Sequence, residues 1–324
     1  MIIMKANLKS NLSWLLLMVV GFVLINFLVV IGVIDSFTEN MLVTIGINII
    51  LAVGLNLVIG FSGQFSLGHA GFMAIGAYAT GIMTLGGFDS FGGWIVSVLV
   101  GMAIAAVVAI IVGIPCFRLS GDYLAIATMG AAEIVRIVLN NMKITNGPAG
   151  LFNIPQYTTW PLVYVLTCLT TIVTVNFIHS RGGRAVMSVR DNEIAAEAMG
   201  INTTRWKLAA FVLGAVTAAI AGSLSASYIQ TIAPSNYGIM QSVSILIIVV
   251  LGGMGSMTGT FVAAVVLGIL DTVLQSFGVL RMVIYAIVLI LMMVFKPSGL
   301  MGTNELSFAR IFNHKKADKG EAKA

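Results

Sequence analysis

Long apolar runs broken by short polar stretches dominate the chain, and their spacing predicts ten helical spans. These cover about 12–34, 39–60, 66–86, 92–116, 121–141, 160–180, 207–229, 240–252, 260–277 and 281–296. A full crossing of the hydrocarbon core takes roughly 20 residues. The eighth and ninth runs fall short of that, and Gly252, Gly253, Gly255 and Gly259 lie around their junction. A re-entrant hairpin over 240–277 would leave eight full crossings.

Composition agrees with this pattern. Of 324 residues, 59% are hydrophobic and 9% charged, whereas a soluble domain carries roughly 25% charged residues. Lipid must therefore be the solvent, and the expected fold is an all-α polytopic integral membrane protein. A closed barrel would show short alternating strands instead. The net charge of +5 does not point to nucleic acid, because the basic residues flank apolar runs. With the N-terminus inside, all 17 Lys and Arg residues except Lys143, Arg281 and the intraspan Arg136 fall on the cytoplasmic side, as orientation by positive charge requires.

The chain thus reads as a cytoplasmic N-terminus over 1–11, a transmembrane region over 12–302 and a polar cytoplasmic tail over 303–324. The tail is expected to be disordered or to lie along the anionic inner surface. The first apolar run exceeds the roughly 7–15 residues of a signal-peptide core, so it reads as a retained span. Trp14, Trp94, Trp160 and Trp206 fall at span ends, where an interfacial belt places them.

Candidate chemistry is sparse. Cys116 and Cys168 show no ligand spacing, and His69, His179 and His314 are far apart, so neither a metal nor a catalytic constellation emerges. The chain has no G-x-x-x-x-G-K-[ST] loop. If ATP drives this protein, ATP and its Mg²⁺ belong to another subunit, and this chain binds no cofactor.

Small residues should hold the bundle together, because helices in lipid associate through close backbone approach. Ala70, Ala74, Ala77 and Gly81 make one stripe, and Gly214, Ala218 and Gly222 another. Polar residues inside spans cost roughly 2.5–3.5 kcal/mol each when charged at mid-helix. Glu133 and Arg136 share a helix face, Gln64 and His69 lie near the inner start of the third span, Asn48 and Asn56 mark the second, and Asp271 sits in the ninth. Two readings stand for Gln64, His69, Glu133 and Arg136: a polar translocation path, or structural pairing between helices. His69 is expected within reach of interfacial water. The turn-rich segment 143–159 faces outside and is long enough to cap the pathway or meet a soluble partner.

The window Ser180–Lys207, SRGGRAVMSVRDNEIAAEAMGINTTRWK, concentrates the charge. Asn192 or Asp191 can cap a helix starting near Glu193, the run EIAAEAM favours helix, and Gly200 can stop it. Such an element, tethered at both ends to spans, can transmit rigid-body motion. An ordinary positive-inside loop is the plainer alternative.

This window resembles the E-A-A-x-x-x-G loop of ABC importer permeases. Ala195, Ala196 and Gly200 match, while Ile194 holds the glutamate slot and Glu193 stands one place earlier. That departure is typical of the branched-chain amino acid group. GLNLVIGFSGQFSLGHAGFMAIGAYAT (54–80) is similar to a signature shared by both permeases of these importers. LSGDYLAIATMGAAEIVRIVLNN (119–141) resembles the M-type subunit, and the likeness runs from about 40 to 300.

The resemblance implies an ABC importer permease fold, a cytoplasmic coupling loop at 181–207 and a place in the bacterial inner membrane with both termini cytoplasmic. It implies a homologous H-type permease, two ABC ATPases and a soluble extracytoplasmic binding protein as partners. It assigns the ATPase coupling loop to Arg190, Asp191, Glu193, Ala195, Ala196 and Gly200. The implied cargo is leucine, isoleucine and valine, with urea, short amides or other amino acids as alternatives. An ion-coupled secondary transporter would need inverted repeats with broken helices, and a membrane enzyme would need clustered catalytic residues.

Overall fold

A computed structural model describes residues 20–27, 29, 31, 35–117, 119, 121–274, 278, 283–284, 287, 290, 294, 299–300 and 302. The first and last expected spans, Trp14 and the 303–324 tail lie wholly or largely outside these residues. Within them the protein is a helical bundle. Its helices are α1 Ser36–Asn56, α2 His69–Leu85, α3 Phe91–Cys116, α4 Asp122–Asn141, α5 Trp160–His179, α6 Arg181–Asp191, α7 Glu193–Ala198, α8 Thr203–Ile229, α9 Ile239–Gly252 and α10 Met257–Leu274. Six of the helical segments are long and apolar enough to cross a membrane, α1 continuing as a π-helical turn Leu57–Phe61.

The centre of the bundle is built from α1, α2 and α8. Gly222 sits where a Cβ would strike the Met73 carbonyl, and a Cβ on Gly76 would enter the Ala219 backbone. Ser223 Oγ donates to Gly76 O at 3.1 Å. Two backbones this close require glycine, and they bring dispersion and polar contacts where the hydrophobic effect gives nothing. Ala70, Ala74, Ala77, Ala218 and Ala219 are all buried. Gly76 lies off the predicted Ala70–Gly81 stripe. The stripe under-reads α2 because this helix is enclosed on nearly every side.

The third span begins later than its hydropathy suggests. Residues 62–68 are not helical, and α2 starts at His69. The Ala70 N–H donates to Ser242 Oγ at 3.1 Å, and the Leu67 N–H donates to Thr128 Oγ1 at 3.2 Å. Ser242 stands ten residues before the end of α9, so α2 begins about 15 Å from the level where α9 stops.

The helix α9 has 14 residues, about 21 Å, less than the roughly 30 Å core. Its turn into α10, with Gly253 at φ 108° and Gly255 at φ 87°, nevertheless reaches the end of the bundle that carries Arg190. The α9–α10 turn therefore lies at that end, while the first turn of α9 is level with the start of α2, so α9 itself covers only part of the bundle's depth.

At the opposite end, residues 143–159 form a folded cap. Leu151 and Ile232 exchange backbone hydrogen bonds at 2.9 Å each, Ser227 Oγ donates to Pro155 O at 2.8 Å, and Tyr157 Oη donates to Asp89 Oδ1 at 2.7 Å. Trp94 and Trp160 are buried beneath neighbouring aromatic rings, which replaces the lipid-facing belt expected of them.

Candidate functional site

The polar window folds into two helices where the sequence announces one. Ser180 Oγ accepts from the Gly183 N–H at 3.1 Å and starts α6. Asn192, in extended conformation, ends α6 and caps α7 by accepting from the Ala195 N–H at 3.0 Å. Gly200 at φ 80° turns the chain out of α7, its N–H bonded to Glu197 O at 2.8 Å; an L-residue adopts that backbone only under strain. Asn202 then caps α8, accepting from the Arg205 N–H at 3.0 Å. The Gly182–Gly183 pair hides α6 from a propensity reading, but a Cβ at Gly182 would strike the Trp206 ring. Glycine there lets α6 lie against α8.

Each predicted coupling residue has a place in this element. Ala196 is buried, while Ile194 and Met199 are 82% and 83% exposed, so an apolar tip faces away from the bundle. Glu193 pairs with Lys207, and Thr203 Oγ1 donates to Glu197 Oε1 at 2.9 Å; both contacts fasten α7 to the start of α8. Arg190 Nε and Nη2 reach Asp191 Oδ1 at 3.0 and 2.9 Å. Exposed ion pairs contribute about 0–1 kcal/mol. The more consequential bond is Arg190 Nη1 to Gly60 O at 3.0 Å, since hydrogen bonds to charged groups are worth about 1.5–3 kcal/mol.

Gly60 lies in the π-helical turn that ends α1. One residue before that turn, the fully buried Asn56 donates from Nδ2 to Ser256 O at 3.0 Å and to Thr260 Oγ1 at 2.8 Å, and its Oδ1 accepts from the Gly255 N–H at 2.9 Å. The polar element, the end of α1 and the α9–α10 turn are thereby one connected unit. The sequence signals for it were Asn56 in an apolar run and the Gly252–Gly259 cluster; neither pointed to Gly60.

The intramembrane candidates separate. Glu133 and Arg136 pair with each other on α4, Arg136 Nε lying 3.0 and 2.9 Å from the carboxylate oxygens. Gln64 and His69 are each 3% exposed. Both amide atoms of Gln64 and Nε2 of His69 lack a hydrogen-bond partner among the described residues. The expectation that interfacial water reaches His69 is not met, because the 62–68 segment carries it inward and its ring meets the backbone of Leu51. Among the described residues no hydrogen bond joins the Glu133–Arg136 pair to Gln64 or His69.

Comparison with known proteins sets this arrangement in a family. The family described as branched-chain amino acid transport system / permease component matches residues 37–295. The high-affinity branched-chain amino acid transport system permease protein LivM of Salmonella typhimurium is 35% identical over 265 residues, 71% of this chain and 62% of that protein. The LivM protein of Escherichia coli K12 is 34% identical over the same shares. The LivH permease protein of Escherichia coli K12 is 29% identical over 182 residues, 55% of this chain and 59% of that one. The matches thus span less than two thirds of these relatives' lengths. No solved structure matches the chain. With 37–295 covering the bundle and the polar element together, the chain belongs to the family of branched-chain amino acid transport system permease components.

Proposed function

We propose that this chain is the M-type permease subunit of an ATP-driven ABC importer for branched-chain amino acids. It works beside a homologous H-type permease in the inner membrane, with both termini cytoplasmic. One of two ABC ATPases docks on α6–α7 and the other on the H-type permease, the two holding the ATP and its Mg²⁺, and a soluble binding protein delivers leucine, isoleucine or valine at the opposite face. The observation that carries this reading is the Arg190–Gly60 bond, which gives a cytoplasmic push on α6–α7 a direct route to the end of α1. Alternating access follows: ATPase closure moves α6–α7, α1 and the α9–α10 turn together, and hydrolysis returns them. This chain performs no covalent step.

The test is reconstitution of the four-subunit complex in liposomes with its binding protein. Leucine uptake should require ATP, and Arg190→Ala should lower uptake while ATP hydrolysis persists. Uptake that continues without ATP, or that carries urea and not leucine, would refute the assignment.

A further inference from the structure

Three long helices of the bundle are largely uncovered: α3, α4 and α5, each with under a third of its most apolar stretch buried. They are not alike. The uncovered side of α3 offers Ile95, Leu99, Val107 and Ile111, and that of α5 offers Val165, Leu169 and Val173. Those faces suit lipid tails. The most apolar 18 residues of α3 have a mean hydropathy of 3.0, but those of α4 only 1.4, and α4 carries the half-exposed Glu133–Arg136 pair well inside its length. Intramembrane charges face protein or a water-filled path, not hydrocarbon.

The exposed stripe of α4 runs Tyr123, Ile126, Gly130, Ile134 and Ile137, one side of a helix by spacing. A Cβ on Gly130 would meet nothing within 4 Å, so this glycine is not required by the chain's own packing. A bare glycine at the middle of such a stripe admits a second helix to close range.

We propose that this face of α4 is the docking surface for the second permease, with Glu133 and Arg136 at the edge of the aqueous path between the two subunits. It rests on the reading of the chain as one permease of a pair. The occupant is a subunit of the same fold, in keeping with the likeness of this chain to a LivH protein as well as to LivM proteins.

A photo-crosslinking amino acid, benzoylphenylalanine, placed singly at Ile126 or Ile134 in the assembled complex in native membranes tests this. Positions Ile111 of α3 and Leu169 of α5 serve as controls. The α4 probes should yield adducts identified by mass spectrometry as the co-expressed homologous permease, and the controls should not. Gly130→Leu should leave the chain inserted at normal levels but reduce co-purifying second permease at least fivefold. Permease adducts from Ile111 or Leu169 with none from α4 would overturn the face while leaving the paired-permease reading intact. Adducts from α4 to a second copy of this chain would overturn the occupant, and absence of any co-purifying permease would overturn both.

Discussion

Arg190 holds Gly60 by its carbonyl, 3.0 Å from Nη1, across 130 residues of sequence. The remaining guanidinium nitrogens are occupied by Asp191, so the fork is fully directed. A lysine keeps the charge but not this geometry. Arg190→Lys should therefore retain ATPase binding and lose at least half of coupled uptake, measured as substrate moved per ATP hydrolysed. Unchanged stoichiometry would dissociate this bond from coupling.

Asn56→Leu should destabilise the protein more than its size change suggests. It orphans the Gly255 N–H, whereas Ser256 O keeps the Thr260 N–H and Oγ1 and loses only one of its donors. Orphaned buried groups cost about 1–3 kcal/mol each in water-soluble proteins, but side-chain hydrogen bonds in membranes average about 0.6 kcal/mol. A total near 2 kcal/mol is expected, read as a lower melting temperature of detergent-purified protein.

Gly222→Val should prevent accumulation of folded protein, because its side chain would enter the Met73 backbone. Overpacking costs typically 1–3 kcal/mol where neighbours can yield, and backbone yields least. Gly92→Ala, on a glycine facing open space, should be silent in the same assay of membrane-inserted, protease-resistant protein.

The α7 element separates insertion from work. Gly200→Pro removes the N–H bonded to Glu197 and the positive φ. Glu193→Arg turns an ion pair with Lys207 into repulsion. Both should insert normally and abolish uptake, assayed by membrane level and transport together.

The cap at the other end predicts a pH response. Donation to Asp89 raises the Tyr157 phenol above its ordinary range, with desolvation adding to it. The contact favours the protonated phenol, so its contribution is complete below the usual tyrosine value of about 10 and is lost as pH rises through the raised one. Asp89→Asn should shift the Tyr157 titration, followed by ultraviolet absorbance, back down.

Much of this was legible in the residues. Helices α3, α4, α5 and α9 begin and end within two residues of their hydropathy runs, and the caps at Asn192 and Gly200 fall where chain chemistry places them. What escaped was whatever depends on who packs against whom. The run 66–86 looks continuous, yet its first three residues stay outside the helix because Thr128 and Ser242 engage their neighbours. Trp94 and Trp160 sit at helix ends, but adjoining segments cover them. The site divides the same way: the cap and the terminating glycine of α7 are local and could be read, whereas the place of Gly60 is defined only by the guanidinium that reaches it.

The break at Asn192 has a mechanical meaning. Beyond it, α7 is tied to α8 through Glu193–Lys207 and Glu197–Thr203; before it, α6 is tied to α1 through Arg190. Load applied at the tip leaves by α8, whereas load applied along the shaft is shared between α8, against which α6 lies at Gly182, and α1. Two off-axis outputs from one input amount to a torque, so a straight displacement from below would reach the bundle as rotation.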